Sequence, residues 1–150
     1  MKVHDFIRLE VQHQGFDLET EEGQRRVDWM QEAWAWAQER PLPVTFYDIT
    51  KLGRIVERER NNEGIRYYNG AEVQVGGRRC PDAKDTIALV AFWTAHVASH
   101  SPPLEAYRIF QLIHPFVDGN GRVGKILLCW LNGTLDDPEM PPDLFGGGVP

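Results

Sequence analysis

A mainly helical domain with one small β-hairpin is the fold class this sequence predicts. Three observations point to it. Apolar residues recur every three or four positions in five stretches. Proline, glycine and capping residues stand between those stretches. One window, residues 61–77, drops the helical period and alternates instead.

The elements follow in order. Thr20 to Gln38 reads as a helix with Val27, Met30, Trp34 and Ala37 on one face. Trp29, Ala33 and Trp36 form a second stripe, so this helix is expected to be covered on two sides. Pro41 and Pro43 end it. Thr45 with Asp48 three residues on resembles a capping box. Ile49, Leu52, Ile55 and Val56 carry that helix to about Glu59. Asn61-Asn62-Glu63-Gly64 is turn chemistry, and Ile65-Arg66-Tyr67-Tyr68 has strand character. Asn69-Gly70 is a two-residue hairpin signal, Glu72-Val73-Gln74-Val75 alternates as a second strand, and Gly76-Gly77 closes it.

Asp82 is placed to cap a helix reaching about Ser99, with Ile87, Val90, Ala91, Thr94 and Val97 inward. Ser101 caps the next, and Pro103 sits early in its first turn, where a missing N–H costs little. Ala106, Ile109, Phe110 and Ile113 form its apolar face. A final helix spans Arg122 to Leu131 with Ile126, Leu127, Trp130 and Leu131 buried, and Asn132-Gly133 stop it. The tail from Asp136 holds four prolines and three consecutive glycines and is expected to be irregular.

Composition narrows the function classes. The chain has 150 residues, 42 % of them hydrophobic, with five Trp, seven Phe and four Tyr. That suits one domain with a real core and argues against disorder. The net charge is -6 with no basic stripe, so no nucleic-acid partner is expected. Cys80 and Cys129 have no metal or redox spacing and read as free thiols. The first residues lack the apolar core of a signal peptide, and no apolar run is long enough for a membrane span. A cytoplasmic protein is expected, or one delivered from there into another cell.

One stretch demands chemistry: His114-Pro115-Phe116-Val117-Asp118-Gly119-Asn120-Gly121-Arg122. Core packing does not require this set. His114 is a candidate base, because imidazole takes up a proton near neutral pH. Asp118 offers the hard oxygen that magnesium prefers near phosphates. Gly119-Asn120-Gly121 opens a helix, where N–H groups and the helix dipole attract anions. From the first turn Arg122 can fork onto phosphate oxygens.

Blander readings stand beside these. A histidine next to an apolar face is more often a satisfied core residue, Asp118 alone is an N-cap, and Arg122 a solvated helix residue. Asp118-Gly119 and Asn120-Gly121 are also hairpin dipeptides, but the flanking periods are helical. Gly119 to Lys125 spells the G-x-x-x-x-G-K of a phosphate loop. Ile126 stands where that loop needs a hydroxyl for magnesium, and the preceding segment is helical where it needs a strand.

His114 to Arg122 resembles the Fic motif, H-P-F-x-[D/E]-G-N-G-R, unbroken over its nine positions. The resemblance covers about residues 45–133. It leaves 1–44 as a helical extension and 134–150 as a tail of one Fic-like domain. It implies a Fic-type helical core and transfer of a nucleotide monophosphate, usually AMP from ATP, to a Ser, Thr or Tyr hydroxyl of a target protein. It implies His114 as general base and Asp118 as the Mg2+ ligand. Gly119, Asn120, Gly121, Arg122 and Lys125 would attend the phosphates. The hairpin, through Ile65, Arg66, Tyr67, Tyr68, Val73 and Val75, would be a flap that pairs with the target by strand addition.

Two departures qualify that implication. The family usually has a second Arg where this chain has Lys125, which keeps the charge but loses the bidentate fork. Many members also carry an inhibitory [S/T]-x-x-x-E-[G/N] pattern. Here Glu22-Gly23 and Glu63-Gly64 are preceded by Leu18 and Glu59, so neither fits. A separate antitoxin-like inhibitor, or no restraint, is then expected. The alternatives are a Fic-fold module that binds a nucleotide or partner without turnover, or a phosphoryl or phosphocholine transfer variant.

Overall fold

The computed structural model describes residues 1–67, 73–75 and 77–146. The chain runs α1 Val3–His13, α2 Glu21–Gln38, α3 Phe46–Val56, β1 Gln74–Val75, β2 Arg78–Arg79, α4 Ala83–Phe92, α5 Pro103–Ile113 and α6 Asn120–Asn132. α4 continues into a wider π-type turn, Trp93–Val97. The architecture is mainly helical, with a single short antiparallel strand pair among the described residues. None of these helices is long and apolar enough to cross a membrane. Both cysteines are buried.

α6 is the central element. Every residue from Asn120 to Trp130 is buried, because α2, α3 and α5 all pack on it. One connected core links Phe6 and Ile7 of α1, Trp34 of α2, Leu52 of α3, Phe110 of α5 and Ile126 of α6. The sequence explains the stops and starts. At the head of α3, Thr45 Oγ1 accepts from Asp48 N at 3.1 Å while Asp48 Oδ2 accepts from Thr45 N at 2.9 Å. Gly133 ends α6 in the left-handed conformation.

Several elements differ from the expectation. α1 falls in the extension without having been delimited. α5 starts from Pro102 rather than Ser101, and α6 starts two residues early, inside the motif. Ile87 and Ala91 of α4 face outward, and Val90, Trp93 and Val97 face in. α4 is apolar nearly all round, so its period does not select a face. Trp93 selects it: the indole is fully buried and its N–H donates to Ala106 O at 2.9 Å. In the second stripe of α2, Ala33 joins the apolar core and the two indoles also carry cations. Arg26 and Arg58 lie over Trp29 at 5.2 and 5.5 Å, and Arg40 lies over Trp36 at 4.9 Å.

One close approach connects α3 to the motif. A Cβ built on Gly53 would lie 2.1 Å from the Phe116 ring. The missing side chain lets Phe116 reach the core, where it is fully buried. Gly53→Ala is expected to lower stability by about 1–3 kcal/mol through overpacking. Urea unfolding checks this, and an unchanged midpoint would show that the ring has room to move.

Candidate active site

The motif forms the 114–119 loop between α5 and α6. Its first residue, His114, caps α5 with φ 52 and ψ 64. It is the only non-glycine with positive φ among the described residues. That conformation costs about 1–2 kcal/mol, so the surroundings must hold it. Arg66 does so. Its Nε donates to His114 O at 2.7 Å, Nη2 to Ile113 O at 3.0 Å and Nη1 to Pro81 O at 2.7 Å. One guanidinium thus satisfies two of the carbonyls at the end of α5. Arg66 N also donates to Pro115 O at 2.9 Å.

The rest of the loop is pinned from both sides. Asn120 Oδ1 accepts from Phe116 N at 2.8 Å, and its Nδ2 donates to Phe116 O at 2.9 Å. Asn61, fully buried, donates to Asp118 O at 2.7 Å and to Gly53 O at 3.0 Å. Gly119 takes φ 82, and its N–H donates to Asp118 Oδ1 at 2.8 Å. α6 then begins at Asn120, so the N–H groups of its first turn lack intrahelical acceptors and lie beside the loop.

The His114 ring is half-buried, with Nδ1 3.1 Å from Gln111 O. A carbonyl can only accept, so the ring proton sits on Nδ1 and Nε2 keeps its lone pair. Burial pushes the imidazole pKa down to about 4, with the Arg66 charge acting the same way. The hydrogen bond to Gln111 and the Asp118 charge oppose this without overcoming it. His114 is therefore neutral at physiological pH.

Asp118 is the accessible carboxylate of the loop, its side chain 32 % exposed. Its Oδ2 lies 3.4 Å from Nη1 of the exposed Arg60. Among the described residues no three His, Cys, Asp or Glu side chains gather as a metal cage.

The two cations expected at the phosphates are both buried and paired with carboxylates, and Arg122 Nη2 also lies 3.7 Å from Asp118 Oδ1 in the loop. Arg122 is buried. Its Nη1 donates to Val56 O at 2.8 Å and its Nη2 to Glu57 Oε1 at 3.3 Å, while Nε has no partner among the described residues. Burial lowers its pKa, and Asp118 and Glu57 resist that. Lys125 is also buried, its Nζ 3.0 Å from Glu10 Oε1. Burial alone would lower the Lys125 pKa, but Glu10 and Tyr107 together raise it on balance. Both cations turned inward because a buried charge needs a counter-charge, and α1 and the end of α3 supply carboxylates. The Asn120 side chain likewise braces Phe116, leaving only its backbone to meet an anion.

The flap also differs. β1 pairs forward with β2, Gln74 opposite Arg79 and Val75 opposite Arg78, with Gly77 in the turn. Cys80 N donates to Val73 O, extending the pair. Ile65 and Arg66 form no strand and are buried under the loop, because the α5 carbonyls need the Arg66 donors. Tyr67 is exposed, its hydroxyl 3.5 Å from Glu63 Oε2, and Val73 is half-buried. Tyr68 and the Asn69-Gly70 turn lie outside the described residues, as does the Val75 side chain. Sequence reasoning missed Asn61, Gln111 and Glu57. Asn61 read only as turn chemistry, and nothing local marks Glu57 as the partner of Arg122.

A search of curated proteins finds no match to this chain. A family model described as the Fic/DOC family matches residues 44–131, which takes in α3, the strand pair, α4, α5, the loop and α6 up to Leu131. The chain belongs to the Fic/DOC family.

Proposed function

We propose that the protein transfers AMP, or a related nucleotide monophosphate, from ATP to a hydroxyl side chain of a target protein. The observation that carries this is His114. Its Nδ1 is committed to Gln111 O, so Nε2 keeps its lone pair in the loop that opens α6. In the proposed reaction the target Ser, Thr or Tyr oxygen attacks the α-phosphorus. The bond from that phosphorus to the β-phosphate oxygen breaks, pyrophosphate leaves, and Nε2 accepts the hydroxyl proton. The Gly119-Asn120-Gly121 backbone supplies N–H donors to the phosphates as charge shifts to the leaving group. Asp118 fits Mg2+: one partly exposed carboxylate suits a cation that takes its other ligands from phosphate and water. That ion, when bound, neutralises phosphate charge. Arg60 stands beside Asp118 and gives way readily, being exposed.

A partner with an extended segment would pair along the hairpin of β1 and β2. A separate antitoxin-like inhibitor would restrain the site. A second reading, binding without turnover, is favoured by the burial of Arg122 and Lys125 on Glu57 and Glu10. A phosphate tail reaching Lys125 has to compete with Glu10.

Incubation with lysate and ATP labelled on the α- or the γ-phosphate separates the readings. Transfer of α-label supports the proposal. Transfer of γ-label alone points to phosphoryl transfer, and nucleotide binding without label on protein points to the binding module.

The pH dependence is specific. With a His114 pKa of about 4, kcat/KM should stay level from neutral down to roughly pH 5 and fall below that. An ordinary histidine would place the fall at about 6.5. The same shift enters stability. Between the folded value of about 4 and the unfolded one near 6.5 the unfolded chain binds the extra proton. Stability is therefore lost as pH falls through that window. A His114→Asn variant should lose less over it, as measured by urea unfolding at several pH values.

A further inference from the structure

Phosphates docked at the 114–119 loop need a cation, and Lys125 is committed to Glu10. Among the described residues, ion pairs and side-chain hydrogen bonds bring three arginines to this loop: Arg66, Arg122 and Arg60. Arg66 is fully buried beneath it, and Arg122 is buried on Glu57. Arg60 differs. Its side chain is 63 % exposed, and its Nη1 meets Asp118 Oδ2 at 3.4 Å.

The chain keeps Arg60 at this place through its neighbour. Asn61 is fully buried, its Nδ2 donating to Asp118 O at 2.7 Å and its Oδ1 accepting from Asp118 N at 3.4 Å. The same Nδ2 donates to Gly53 O at 3.0 Å, which ties the clamp to α3. The backbone that carries Arg60 is thus fixed beside Asp118, while the guanidinium is solvated and held by one long contact. An exposed pair of this kind contributes little, so the guanidinium leaves it at small cost. Beside a metal ion on Asp118 the guanidinium is repelled, and phosphate oxygens on that ion attract it. Arginine suits them, because its fork of N–H donors matches two phosphate oxygens. Arg58, two residues before, faces elsewhere: it pairs with Glu32 and lies over Trp29 of α2 at 5.5 Å.

We propose that Arg60 is a phosphate-binding residue for the nucleotide donor, leaving Asp118 when nucleotide and metal arrive and donating to the phosphate oxygens that the buried Lys125 does not meet. The inference rests on the nucleotide reading of this site, and its test reads binding rather than transfer.

The probe is α,β-methylene-ATP with Mg2+, whose α–β link is not cleaved, titrated into the full chain by calorimetry. Arg60→Ala is expected to weaken it by at least about fivefold. Arg58→Ala removes the same charge two residues away and is expected to stay within about twofold of the parent at physiological salt. Both positions are exposed, so both variants are expected to keep the parent's thermal midpoint. The sign is informative. Were Arg60 only a partner of Asp118, its removal would free that carboxylate for Mg2+ and tighten the analogue. Less than about a fivefold loss with Arg60→Ala, or an equal loss with Arg58→Ala, would overturn the proposal. A parent chain that does not bind the analogue would overturn it together with the nucleotide-transfer reading. A parent that binds, is weakened by Arg60→Ala and labels no protein ends that reading alone and supports the role of Arg60.

Discussion

His114→Asn is expected to lower the rate of target labelling by about 10²–10⁴-fold without unfolding the protein. Asn is the informative replacement. It tolerates the left-handed conformation that position 114 requires, so backbone strain does not confuse the result. Its amide offers no lone pair that takes a proton at neutral pH. The Arg66 bonds run to the backbone carbonyls of Ile113 and His114, so they survive the change. The labelling rate and the thermal midpoint should be measured on one preparation. A lost rate with an unmoved midpoint assigns the effect to the ring nitrogen. A rate within a few fold of the parent would show that Nε2 is not the base.

Glu57→Gln is expected to have the largest effect on stability. The Glu57 carboxylate is fully buried between two guanidiniums. Arg26 donates to it through Nε and Nη2, both at 3.1 Å, and Arg122 through Nη2 at 3.3 Å. An amide at this position leaves two cations facing each other, with its own N–H groups turned towards donors. Breaking a buried pair from one side costs about 3–5 kcal/mol. For a chain of this size that is a fall of roughly 10 °C or more in the melting temperature. Asp137→Asn removes the exposed pair with the amino terminus and should cost at most about 1 kcal/mol. Calorimetric melting of both variants checks the contrast. Equal shifts would mean that the Glu57 cluster carries no special weight. The cluster also serves the site, because it fixes Arg122 behind the loop and Glu57 packs against Gly119.

How much of this was legible follows the range of the interactions. The capping box at Thr45 and the glycine stop at Gly133 involve neighbours within a few residues, and both are read directly from spacing. The motif announced its own loop, because its residues are contiguous and its flanks are strongly periodic. The destinations of its cations were not legible. Lys125 meets Glu10 across 115 residues and Arg122 meets Glu57 across 65, and no local pattern encodes either pairing. Arg66 misled for a related reason. Its neighbours have β-propensity, but unsatisfied carbonyls on α5 outbid a strand there. The Asn69-Gly70 signal lies outside the described residues, and the pairing among the described ones closes around Gly77. α4 shows the limit of periodicity: an apolar helix has no preferred side until a large residue such as Trp93 finds its cavity.

The most direct test of the central claim is the mass of a protein modified in the presence of this chain. Lysate proteins are incubated with each of the four nucleoside triphosphates and magnesium, and modified peptides are sequenced by mass spectrometry. The account predicts a nucleoside monophosphate mass on a Ser, Thr or Tyr side chain, present with the parent and absent with His114→Asn. A phosphoryl or phosphocholine mass on those residues, or the same adduct with the variant, would contradict it.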